Sequence, residues 1–225
     1  MSYVSAHLYI AAKAPRIGIA KTRLGRAIGD VAAVGLYRAF LQDLGARFAD
    51  APFPVGWYVT PDDAWPELRP LVGSSATEPR VLAQGAGDWT ERQDALFRDA
   101  PERNEAPVIL IASDSPHLTI ATIELAFRTL NDHDLVVGPV SDGGYYLIGM
   151  RRWHDVLKGI PMSTGSVLDT IRDRARAQGL SVGEVDETFD VDEVEDLVQL
   201  QALVQTRDDL PATRRALEAL CQRSL

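Results

Sequence analysis

Five groups of residues carry side chains that could do chemistry together. Asp114 stands in Ser113-Asp114-Ser115-Pro116, directly after the apolar run Val108–Ala112, which delivers one carboxylate to the end of a buried strand. In open α/β sheets ligands gather at the carboxyl ends of strands, so this acid is either a ligand for a metal or substrate or a turn-forming Asp bonding its own backbone. Lys13, Lys21, Thr22 and Arg23 lie in a basic loop that holds no acid, whereas residues 184–196 hold eight acids and no base, Asp190 and Asp192 among them. Acids at i and i+2 in an extended segment point the same way and can reach one cation. Asp192 has a competing role, because Asp192-x-x-Glu195 resembles a capping box, so Asp190 is the preferred ligand of the two. Asp142-Gly143-Gly144-Tyr145 reads either as a ligand-approach turn or as an ordinary Asp-Gly hairpin. Ser163-Thr164-Gly165-Ser166 reads either as an anion-binding helix start or as a plain Ser/Thr cap.

The elements that must position these groups alternate strand, loop and helix. Residues 3–12 read as a first strand, with His7 as a hydrogen-bonded core residue, and the basic loop leads into a long helix from about Arg26 to Ala49. Strand, basic loop and helix form a phosphate-binding arrangement, because helix-start N–H groups add positive potential, although neither a P-loop nor Gly-x-Gly-x-x-Gly is present. Strands are expected at 55–60, 81–84, 108–112, 135–138, 145–149 and 180–185, and helices at 89–99, after Thr119 as N-cap, at 167–178, around Leu197–Leu203 and at 211–224. The alternation predicts a single domain over 1–225, a three-layer α/β/α Rossmann-like sheet, mostly parallel, with the last helix packed on it.

Bulk numbers narrow the function. With 225 residues, 46% apolar and 24% charged, the chain can bury one sizeable core. A net charge of −9 argues against nucleic acid as a partner. No apolar run spans a bilayer and no leader pattern opens the chain, so a cytoplasmic protein is expected. Cys221, the one cysteine, is expected to pack in the last helix.

Taken in order, Lys13-Ala14-Pro15, Lys21-Thr22-Arg23-Leu24, Ser113-Asp114-Ser115-Pro116, Asp142-Gly143-Gly144-Tyr145-Tyr146 and Asp190-Val191-Asp192 resemble the GT-A superfamily of nucleotide-diphospho-sugar transferase-like proteins. The branch includes proposed glycosyltransferases of arsenosugar pathways, and 2-phospholactate guanylyltransferases look like its relatives. The resemblance implies that the loop around Lys21 and Arg23 holds nucleotide phosphates. It implies that Asp114 is the metal-binding aspartate, joined by Asp190 and Asp192. The Asp142–Tyr145 turn and the Ser163-Thr164 loop would then face the acceptor. Two departures stand out: Ile17-Gly18-Ile19 replaces the usual Pro-Gly-Arg, with Arg16 as a substitute from another angle, and Glu193-Val194 replaces Thr-Pro after the second acid pair. Cys often stands at the position of Ser115, which argues against a nucleophile there.

Mg2+ or Mn2+ takes one or two carboxylates plus phosphate oxygens, which Asp114 and Asp190 would supply while Lys21 and Arg23 hold the remaining oxygens. Catalysis would be positioning and charge stabilisation by Asp114 and Lys21, with no protein nucleophile. The expected function is a metal-dependent glycosyltransferase using a nucleotide-diphospho-sugar and a small-molecule acceptor, and a homodimer is left open. Nucleotidyl transfer to a small phosphorylated acid, with release of pyrophosphate, is the alternative. A non-catalytic nucleotide-binding regulator, suggested by the missing loop arginine, is the rival from another class.

Overall fold

The computed structural model describes residues 5–73, 78–162 and 165–223. Its centre is a seven-stranded sheet of β1 (His7–Lys13), β2 (Val55–Thr60), β3 (Arg80–Ala83), β4 (Val108–Ala112), β5 (Leu135–Pro139), β6 (Tyr145–Met150) and β7 (Val182–Glu184). The spatial order is β3-β2-β1-β4-β6-β5-β7. Four pairings are parallel, and β6 runs antiparallel to both of its neighbours. The expected mostly parallel α/β sheet is what forms, with one β5–β6 hairpin inside it.

Side-chain alternation explains why the sheet is covered on both faces. Leu8, Ile10 and Ala12 of β1 and Ile109 and Ile111 of β4 enter one apolar cluster. Tyr9 and Ala11, and Val108 and Leu110, enter the other. The first cluster takes side chains from α1 (Thr22–Ile28), α2 (Asp30–Phe48), α3 (Trp65–Val72), α5 (Ile120–Thr129), α7 (Asp196–Thr206) and α8 (Pro211–Arg223). The second takes them from α4 (Trp89–Arg98) and α6 (Val167–Ala177). Thr119 caps α5 as expected, its hydroxyl accepting from the Thr122 N–H at 3.1 Å.

Two expectations need correction. The helix expected from about Arg26 to Ala49 is two helices, because Gly29 adopts φ 88° and ends α1 one residue before α2 begins. The capping box expected at Asp192-x-x-Glu195 does not form. Instead α7 starts at Asp196, whose carboxylate accepts the Asp192 and Glu193 N–H groups at 2.9 and 2.8 Å.

Chain order along the sheet fixes where the loops gather. From β1 the chain steps outward through β2 and β3, then returns to place β4 on the other side of β1. The carboxyl ends of β1 and β4 therefore flank a topological switch point, where the two outgoing loops diverge and leave a crevice. The loop after β4 is tied to the segment after β7 by the Val191 N–H on the Asp114 carbonyl at 3.0 Å and the Ser115 hydroxyl on the Phe189 carbonyl at 3.0 Å. His117 adds a third tie, Nε2 to Thr188 Oγ1 at 2.7 Å, and its ring stacks on Phe189. At the opposite edge of the sheet, buried Glu105 is held by Tyr9, Arg80 and Arg103, a structural clamp remote from the crevice.

Two stability predictions follow from these contacts. The Asp43 carboxylate of α2 is 3% exposed and accepts the first free N–H groups of α8, from Ala212 at 3.0 Å and Thr213 at 2.8 Å. Asp43→Ala strands both donors, so urea denaturation should report a loss of about 2–4 kcal/mol, with Asp43→Asn losing less. The His117 pKa is pulled down to about 4 by burial first, then by Arg207 and Arg47. A neutral imidazole favoured by folding contributes stability that is complete above pH 6.5 and lost as pH falls toward 4, roughly 3 kcal/mol in all. Denaturation curves at pH 7, 5.5 and 4.5 should show a shallower acid decline in His117→Gln than in the wild type.

Candidate functional site

Lys21 is the hub of the crevice. It is the N-cap of α1, in a left-handed conformation with φ 52°, and its side chain is only 2% exposed. Its Nζ lies 2.6 Å from Asp114 Oδ1, 3.0 Å from Asp192 Oδ1 and 2.7 Å from the Val191 carbonyl. The Asp192 carboxylate and the Val191 carbonyl accept hydrogen bonds from the ammonium, and Asp114 pairs with it as an ion. Burial works against the charged form, yet Asp114 and then Asp192 outweigh it and hold the Lys21 pKa above its ordinary value. Asp192 is held on both oxygens, by Lys21 on Oδ1 and by Arg23 on Oδ2, and Arg23 also reaches Glu193 at 3.1 Å. Against its own burial, these two cations hold the Asp192 carboxyl below the usual range.

Asp190 has the opposite surroundings. Among the described residues its carboxylate makes no hydrogen bond or ion pair, while burial, then Asp192, Asp114 and more distantly Asp142 push its pKa up to about 6. Lys21 acts against this rise, and Arg23 feels the Asp190 charge as well. Asp142 sits in the turn joining β5 and β6, where its Oδ1 accepts the Gly144 N–H at 2.9 Å. Gly143 has φ 85°, and a side chain there would collide with the Gly165 carbonyl. Its own carbonyl accepts the Leu168 N–H at 3.0 Å. The glycine thus serves a close approach of backbone to backbone at the start of α6. The Tyr145 hydroxyl turns into the opposite layer and donates to Gln93 Oε1 at 2.9 Å.

The other expected residues divide. Lys13, at the end of β1, and Thr22 and Arg23, at the start of α1, are exposed on the crevice side of the sheet. Arg16 does not replace the missing loop arginine, because its guanidinium is committed to Glu67, at 2.7 Å from Nε, and to Asp63 at 3.2 Å. Ser163 and Thr164 lie outside the described residues. Ser115 is fully buried and donates to a carbonyl, in keeping with a structural hydroxyl. His7 bonds the Ser5 carbonyl, as expected for a strand histidine. Cys221, expected to pack, is exposed.

Sequence reading missed Tyr37. Its hydroxyl accepts the Lys13 N–H at 2.9 Å and bonds Ser113 Oγ at 2.9 Å, joining the ends of β1 and β4 at the crevice floor. A buried phenol needing a partner was the available signal. Gln84 and Arg92 were missed as well: the Arg92 guanidinium spans Thr60 Oγ1 and Gln84 Oε1 beyond the ends of β2 and β3, and its Nε donates to the Gly87 carbonyl.

Among the described residues no three Asp, Glu, His or Cys side chains form a preformed metal cage. The donor set nevertheless suits a hard cation, since Asp114 and Asp190 offer carboxylate oxygens and Asp190 makes no ion pair among the described residues. Asp192 fits less well, with both oxygens engaged. No described helix is long and apolar enough to cross a membrane.

A solved structure of a candidate nucleotide-diphospho-sugar transferase from Desulfovibrio desulfuricans G20 is similar over 97% of each chain, with a TM-score of 0.87 and 28% identity. More distant are 4-diphosphocytidyl-2C-methyl-D-erythritol synthase from Anaerococcus prevotii DSM 20548 (TM-score 0.58, 10% identity, 90% of this chain and 98% of that one) and CMP:2-keto-3-deoxy-manno-octonic acid synthetase complexed with CTP (TM-score 0.51, 14% identity, 89% and 98%). At such identities the likeness is one of fold alone. No curated protein matches the sequence. The family model described as "Uncharacterized protein conserved in bacteria (DUF2064)" matches residues 46–164, just over half of the chain, and the chain belongs to that family.

Proposed function

We propose that this protein is a metal-dependent transferase using a nucleotide-activated donor, in the first place a glycosyltransferase taking a nucleoside-diphosphate sugar. The observation that carries the reading is the meeting of Asp114, Asp190, Lys21 and Arg23 at the β1/β4 switch point, in a fold similar to that of a structure named as a candidate nucleotide-diphospho-sugar transferase and of a synthetase complexed with CTP. Mg2+ or Mn2+, held by Asp114 and Asp190, would supply neutralisation of charge on a departing diphosphate.

The protein's own residues do the rest. Asp114 is fixed by the Val191 N–H on its carbonyl and by Lys21 on its carboxylate, so its oxygens are oriented before substrate arrives. Lys13 and Arg23 offer positive charge at the rim for phosphate oxygens, Arg23 in competition with Asp192 and Glu193. Asp142 and the glycine turn border the acceptor side. Among the described residues none is set up as a nucleophile: the Ser115 hydroxyl donates to a carbonyl, and Cys221 is an exposed side chain of α8. The reaction is accordingly direct transfer between bound partners, driven by positioning and charge stabilisation.

The reading is tested by turnover against a panel of nucleotide sugars and nucleoside triphosphates with and without Mg2+. Release of a nucleoside diphosphate supports glycosyl transfer, pyrophosphate release would replace it with nucleotidyl transfer, and metal-independent nucleotide binding without turnover would make the protein a sensor. With the active donor, Asp114→Asn and Asp190→Asn should each lower the metal-dependent rate by on the order of 1000-fold while retaining the wild-type fold by circular dichroism. Wild-type rates in both variants at saturating Mg2+ would remove the carboxylates from the site.

A further inference from the structure

We propose that Lys21 is the resident counter-cation of the crevice, and that a divalent cation entering there displaces its ammonium from Asp114 and releases it toward an anionic ligand. The inference rests on the metal reading given above and adds a gate to it.

In the structure the Lys21 ammonium is engaged by Asp114 as an ion pair and by Asp192 and the Val191 carbonyl through hydrogen bonds. It is also shielded from solvent, with the Phe40 ring centroid 5.9 Å from Nζ on the other side. A lysine in this position can touch substrate only after it moves. The carboxylate it holds at 2.6 Å, Asp114, is the one that a cation shared with Asp190 needs. An ammonium and a divalent cation on one carboxylate repel each other strongly in a half-buried site, so the two occupants compete.

Release does not dismantle the crevice. Val191 N–H to the Asp114 carbonyl, Ser115 Oγ to the Phe189 carbonyl and His117 Nε2 to Thr188 Oγ1 still join the two acidic segments. Asp192 keeps Arg23 as its partner. Asp190, which makes no ion pair among the described residues, then shares the cation with Asp114. The left-handed backbone at Lys21 places the pivot on the first residue before α1, with the mobile part of the exchange confined to one side chain.

The sequence makes a direct test simple, since its three lysines are Lys13, Lys21 and Lys158, and both others are exposed. Amine acylation of the wild-type protein, read by peptide mass spectrometry, should leave Lys21 protected in EDTA. Saturating Mn2+ should speed its labelling about tenfold or more while Lys158 stays unchanged. In calorimetry without nucleotide, Lys21→Met should bind Mn2+ about tenfold more tightly than the wild type, because the competing ammonium is gone. Mn2+ binding to the wild type with Lys21 still protected would overturn the gate and leave the metal reading standing. Absence of Mn2+ binding in both proteins would overturn the two together. Should Lys21→Met fail to fold, the wild-type labelling decides alone.

Discussion

An ammonium taken out of water among carboxylates is the constraint on which the crevice depends. Desolvating Lys21 costs several kcal/mol unless its charge is matched, and here two carboxylates and a carbonyl match it. The interaction joins three stretches that are far apart in the chain: the turn after β1, the loop after β4 and the segment after β7. Neutralising any one partner leaves a buried charge without its complement. The site is thereby tuned as a unit, and the pKa of Asp192 is low for the same reason that the pKa of Lys21 is high.

The sheet makes that meeting unavoidable. Because β1 and β4 are parallel neighbours, and β5 and β7 run in the same sense, the loops that follow all four emerge on one edge. The single reversed strand, β6, brings its starting end to the same edge and with it the Asp142 turn. Four loops of unrelated sequence thus open on one crevice, with the switch point at its centre. Tyr37 then joins the ends of the two central strands beneath that edge.

What could be read from the sequence was what depends on neighbours in the chain. Val108–Ala112 is apolar on both faces because the strand is covered on both, and Thr119 caps the helix that follows because its hydroxyl reaches a backbone N–H three residues on. The order of the motifs placed the carboxylates and the basic loop at strand ends correctly. Hidden were the pairings set by the fold. Asp192 looks like a cap in sequence, but Lys21 and Arg23 arrive from about 170 residues away and claim both its oxygens. Arg16 looks free for a phosphate until α3 brings Asp63 and Glu67 against it. The helix break at Gly29 escaped notice because the apolar period continues across it, and only the φ of 88° shows where the axis turns.

The charge arrangement has a consequence for how an anionic substrate enters. Three carboxylates, Asp114, Asp190 and Asp192, face Lys21 and Arg23, and Arg23 is shared with Glu193. The basic loop that looked ready to receive phosphate is already neutralised by the acids behind it, and Asp190 relieves the surplus only by a pKa lifted to about 6. A polyphosphate arriving alone meets no net positive field at the crevice floor. Under the proposed metal-dependent reading, a polyphosphate arriving with a divalent cation would bring positive charge to Asp190 and free the charge that Asp114 holds. On that reading, the electrostatics that disfavour a bare anion would favour a metal-bound one, and selectivity between the two would come from the positions of three carboxylates and one lysine.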